Sequence, residues 1–189
     1  MKKRGAIIAF ESLPFCSTKY DVANWITNNI PDVRLYTITG VAHRDLGRFD
    51  LSYAMAALER GVIGQDALKD ANNGKTVIML GHKYIDVAIA GIISNNAPKL
   101  RELDMYTPVP DIIVYFDEPE GRCIVGGNKR EYEPIINNVS EIKDNLIKEI
   151  TQHTLSEIIW IRKTSVDVEE LASAILHISG FHFTLRKPK

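Results

Sequence analysis

The sequence predicts an α/β fold with a parallel core sheet of about five strands flanked by helices. Two observations predict it. Short apolar runs rich in β-branched residues alternate along the chain with longer segments of helical period. The runs are apolar throughout, as strands covered on both faces are. A third observation sets the scale. With 189 residues, 45% of them hydrophobic and 25% charged, the chain is long and apolar enough for one domain spanning residues 1–189. That composition excludes a largely disordered chain.

The elements follow in order. Residues 5–10 (GAIIAF) read as a buried strand that Glu11 interrupts. A helix is expected over residues 18–29, with Val22, Trp25 and Ile26 on one face. Residues 33–38 form the second strand, and residues 51–60 an Ala-rich helix. Asn73-Gly74 signals a turn into a third strand over residues 76–80 (TVIML). Residues 84–93 are apolar enough for a buried helix. Pro108 and Pro110 lead into a fourth strand, residues 111–116 (DIIVYF). Between residues 131 and 150 the apolar gaps of three, one and four fit one helix of about 30 Å. Residues 158–161 are the fifth strand, and Val168, Leu171, Ala172, Ile175 and Leu176 mark a closing helix.

Charge and cysteine content exclude several classes. The net charge of -1 offers no basic footprint for nucleic acid or an anionic membrane. No run approaches the ~20 apolar residues of a membrane span, and the N-terminal segment lacks the apolar stretch of a signal peptide. Cys16 and Cys123 are too few for a disulfide framework or a zinc site. The five histidines show no ligand spacing. A reducing, cytoplasmic setting is expected. No Gly-x-Ser-x-Gly elbow supports an α/β hydrolase.

In such a fold, ligands bind beyond the carboxyl ends of the strands. The segment after the first strand is Glu11-Ser12-Leu13-Pro14-Phe15-Cys16-Ser17-Thr18-Lys19. It stands where a phosphate loop, G-x-x-x-x-G-K-[ST], would stand. The loop here has no glycine, and its lysine follows the hydroxyls instead of preceding one.

Residues 4–11 (RGAIIAFE) resemble the opening of thymidylate kinases, in particular their eukaryotic and large-DNA-virus branch. The likeness runs over roughly residues 3–179. Residues 36–48 (YTITGVAHRDLGR) are similar to the family's segment after the second strand, and residues 107–116 to its Leu-Pro-x-Pro-Asp-Leu strand. Glu131-Tyr132-Glu133 resembles the region after its lid, which implies a lid-like segment at about residues 119–130. The resemblance implies a three-layer P-loop-type nucleoside-monophosphate-kinase fold and a homodimer. It offers the helices at residues 51–60 and 84–93 as surfaces for that dimer.

The same alignment sets Ser12 and Ser17 at the two loop glycines, Thr18 at the lysine and Lys19 at the hydroxyl. Ala42 and Ala57 fall at the two substrate arginines, and Gly81 or His82 at the acidic residue after the third strand. Phosphoryl transfer needs several converging cations. The leading expectation is therefore a catalytically degenerate thymidylate-kinase-like protein, a binding or scaffolding module with a possible protein partner and no cofactor.

The remnant nucleotide site would comprise Ser12, Ser17, Thr18, Lys19, Arg44, Arg48, His82, Lys83 and Arg130, with no catalytic and no metal-binding residue. The alternative is an active dTMP kinase with a rearranged loop, using ATP and Mg. Lys19 would then turn back to phosphate. On the plainer reading, Ser17 or Thr18 caps the helix and Lys19 lies in solvent. Arg44 and Arg48 hold an anion or make surface contacts. Lys129 and Arg130 are lid charges or a solvated loop.

Overall fold

The computed structural model describes residues 4–120, 132–152, 155–162 and 167–179. Five strands form one sheet: β1 (Ile7–Ser12), β2 (Val33–Thr37), β3 (Thr76–Leu80), β4 (Ile112–Phe116) and β5 (Glu157–Ile161). Their order is β2-β3-β1-β4-β5 and every pair is parallel. The central strand β1 is buried at all six positions. Its register sets Phe10 against Leu80 on one side and Glu11 against Tyr115 on the other.

Helices cover both faces. On one face, α1 (Thr18–Asn29) and α7 (Val168–Ile178) pack together over Ile8, Phe10, Ile78 and Val114. The other face carries α2 (Phe49–Asn72), α3 (Lys83–Ile93) and α6 (Val139–Gln152), over Ala9, Ile113 and Tyr115. Two short helices, α4 (Ala97–Glu102) and α5 (Glu133–Ile136), complete the described set. Among the described residues, no helix is long and apolar enough to cross a membrane.

Three expected boundaries are corrected. First, β1 starts at Ile7 and runs through Ser12. Glu11 therefore continues the strand instead of ending it, because its backbone still pairs with β4. Second, the helix expected over residues 51–60 extends to Asn72, through Gly61 and Gly64. Each helix-interior glycine costs about 1 kcal/mol against alanine. Gly64 is retained where the chain packs against Pro108: a Cβ there would stand 2.3 Å from the proline Cδ. Third, the helix expected over residues 131–150 is two helices, α5 and α6, parted by a turn at Asn137 and Asn138. Glu131 itself lies outside the described residues.

Candidate functional site

Ser12 ends β1, and its hydroxyl donates to the Leu13 carbonyl at 2.8 Å. The chain then needs only five residues to reach α1. Leu13 and Cys16 turn inward and join the apolar core. Phe15 holds a positive φ of 66°, which costs an L-residue roughly 1–2 kcal/mol. Its ring meets Tyr132 edge-on at 4.7 Å. A phosphate cradle needs a run of inward-facing N–H groups around an open centre; here apolar side chains pack into the interior below the loop.

Ser17 is the N-cap of α1, but its side chain makes no capping hydrogen bond. Thr18 is half-buried behind it. Lys19 corrects the expectation of a solvated lysine: it is buried, and its Nζ lies 5.4 Å from the Tyr20 ring centroid. The cause is its place in the first turn of a helix pressed against the sheet, with the wholly buried Glu11 beneath. Burial pushes the Glu11 carboxyl up to about 8; the charge of Lys19 opposes this without cancelling it. The Tyr84 backbone N–H also favours the charged carboxyl, and the two together still fall short of the cost of burial.

After β2, Arg44 donates from Nε to the Thr39 carbonyl at 3.0 Å and pairs with Glu59 of α2. Its charge is met within the chain. Arg48 is exposed at the start of α2 and makes no side-chain ion pair among the described residues. After β3, Gly81 has a φ of 81°, and a Cβ there would stand 2.3 Å from the Ile38 carbonyl oxygen. His82 is buried, and its Nε2 lies 3.0 Å from the Pro108 carbonyl. Burial pushes its ring down to about 4. The ring is therefore neutral, and Nε2 carries the proton that bonds Pro108. Lys83 opens α3, and its ammonium is also shifted down by burial. Arg130, Lys129 and all of the lid-like segment beyond Glu120 lie outside the described residues.

The largest polar constellation in the interior was not expected from the sequence. Arg60 of α2 has no solvent access. It donates to Asp86 of α3 through Nη1, and to Asp104 through Nε at 2.7 Å and Nη2 at 3.1 Å. Tyr53 donates its hydroxyl to Asp104 at 2.6 Å, and the Val41 N–H donates to Asp86 at 3.0 Å. One signal was available: Asp86 is a lone charge in the most apolar helical segment, and such a charge requires a buried partner. The cluster joins α2, α3 and the segment after β2. Among the described residues, no group of His, Cys, Asp and Glu side chains is arranged to hold a metal ion.

A parallel sheet in the order 2-3-1-4-5, with a helix following β1, defines the P-loop-type nucleoside-monophosphate-kinase fold. Among solved structures, the chain is similar to thymidylate kinase from Candida albicans. The TM-score is 0.66 with 13% identity, over 97% of this chain and 99% of that one. The thymidylate-kinase fold implied by the sequence resemblance is thus the fold observed. No protein-family model matches the chain, and no curated protein sequence matches it.

Proposed function

We propose that this chain is a catalytically degenerate thymidylate-kinase-like protein, a homodimeric cytoplasmic module that binds or scaffolds instead of transferring phosphate. One observation carries the reading. The loop after β1 has no glycine, and its Leu13 and Cys16 side chains are buried in the apolar core. A magnesium–triphosphate group would need N–H donors and a hydroxyl following the loop lysine. Here Tyr20 follows Lys19, so these residues do not fit that group. Arg44, one of the candidate site cations, is already neutralised by the carboxylate of Glu59.

The competing reading is an active dTMP kinase in which Lys19, Arg44, Arg48, Lys83 and Arg130 hold the phosphates of ATP and substrate. The position of Lys19 in the first turn of α1 favours it. Both readings are tested by thermal-shift titration with ATP, ADP, dTMP and dTDP, with and without magnesium. A ligand at 100 times its Kd adds about 2.7 kcal/mol, a rise of several degrees for a chain of this size. The proposal expects no shift at millimolar nucleotide and no turnover. A clear shift, with turnover abolished by Lys19→Ala, would establish the kinase instead.

A further inference from the structure

Lys83 stands apart from the other described lysines. Lys69, Lys99 and Lys148 are exposed. Lys75 pairs with Asp70 at 2.8 Å, and Lys143 with Asp117 at 2.7 Å. Lys19 is buried, beside Glu11. Lys83 is half-buried, and among the described residues it makes no hydrogen bond and no ion pair. Its Nζ stands 5.9 Å from the centroid of the Tyr84 ring.

Three features of the fold favour the neutral amine at this position. Burial takes water from the charged form. Lys83 is also the first residue of α3, and the N-terminus of a helix is the positive end of its dipole. Its N-cap, His82, has a neutral ring and makes no side-chain capping bond. Finally, the charges around the amine are already spent on one another. They are Arg60 of α2, Asp104 of the segment before β4, Arg101 of α4 and Glu149 of α6. Arg60 is paired with Asp104, and Arg101 with Glu149. Each pair raises and lowers the amine in turn, and burial is the larger effect, so the ammonium is shifted down.

A desolvated, unpaired lysine is a nucleophile at neutral pH. Lys83 is also reachable: its side chain keeps part of its surface in water, and it follows β3 at the carboxyl end of the sheet, where ligands approach such a fold.

We propose that Lys83 is a nucleophilic amine that takes an acyl group from an activated acyl donor, a thioester or an acyl phosphate. The neutral Nζ attacks the carbonyl carbon and forms an amide bond. The bond from that carbon to sulfur, or to the phosphate oxygen, breaks, and the leaving group departs with the electron pair. The amine proton passes to solvent. The product carries no charge, so the contact between the ammonium and the Tyr84 ring is lost. The reaction is independent of whether the chain binds nucleotide.

The test is to incubate the full chain with acetyl phosphate or with acetyl-coenzyme A, in separate arms, and to follow acetylation at each lysine by peptide mass spectrometry. At pH 7 Lys83 should react about threefold or more faster than Lys69, Lys99 and Lys148. The advantage should shrink toward about pH 10, where ordinary lysines also lose their proton. It should vanish when the chain is unfolded in urea, because the fold creates it. Reaction in one arm alone identifies the donor. Rates at Lys83 no higher than at the three exposed lysines, in both arms, would overturn the proposal. An advantage that persists in urea would overturn it equally, by assigning the reactivity to local sequence and not to the folded site.

Discussion

Arg60 and Asp104 are joined by two hydrogen bonds, Nε to Oδ1 at 2.7 Å and Nη2 to Oδ2 at 3.1 Å, with almost no solvent access to either side chain. Asp86 completes the pairing from α3, and the Arg60 guanidinium lies 5.5 Å from the Tyr53 ring centroid. The cluster ties the long helix α2 to two segments that follow β3.

Breaking this cluster at one member should be costly. A buried ion pair that loses one partner leaves an uncompensated charge, at about 3–5 kcal/mol. Asp104→Ala removes a carboxylate and also orphans the Tyr53 hydroxyl. Urea denaturation should show a loss in that range. A loss below about 1 kcal/mol would mean that water or a rearranged Asp86 replaces Asp104.

Glu11 should make the protein less stable in alkali. Burial pushes its carboxyl up to about 8 in the folded chain from 4.5 in a free side chain, so folding favours the protonated form. That contribution is complete below pH 4.5 and is lost as the pH rises from there through 8. Glu11→Gln keeps the shape and removes the titration. Its stability relative to wild type should grow with pH across that window, by at most about 1.4 kcal/mol per pH unit, and level off above it. Parallel melting curves for the two proteins from pH 4.5 to 9 would contradict a Glu11 carboxyl held neutral by burial.

Phe15 separates two effects within one side chain. Its positive φ of 66° favours glycine, while its ring packs on Tyr132. Phe15→Ala loses the ring and keeps the strain; Phe15→Gly loses both. The glycine variant should therefore be the more stable of the two, by about 1 kcal/mol. Equal melting temperatures would mean that the loop relaxes once the ring is gone.

Two helical glycines should respond to alanine with opposite sign. At Gly91 of α3, an added Cβ would meet Asn145 Nδ2 at 3.5 Å, an ordinary contact. Gly91→Ala should stabilise by about 0.5–1 kcal/mol. At Gly64, the added carbon would stand 2.3 Å from Pro108 Cδ. Gly64→Ala should destabilise by roughly 1–3 kcal/mol through overpacking. Chemical denaturation of both variants checks the pair.

The number of strands, their parallel pairing and half of their ends were legible in the sequence. Residues 76–80 and 18–29 were read to the residue, because a turn at Asn73-Gly74 and the close of an apolar run are local signals. The extent of α2 was not legible. Gly61 and Gly64 look like breakers locally, and only the close packing of Gly64 against Pro108, more than forty residues away, explains the second of them. The same holds at the candidate site. The missing glycines after β1 are visible in the sequence, but the burial of Lys19 over Glu11 is not.

Sequence alone determined the layered α/β architecture, since a strand's β-branched run and a helix's period are written in neighbouring residues. Tertiary structure alone decided which charges face inward. Arg60 meets Asp86 and Asp104 from separate elements, and Arg44 meets Glu59 across a turn. Whether a charge is buried depends on partners brought together by packing, and no local pattern records that distance.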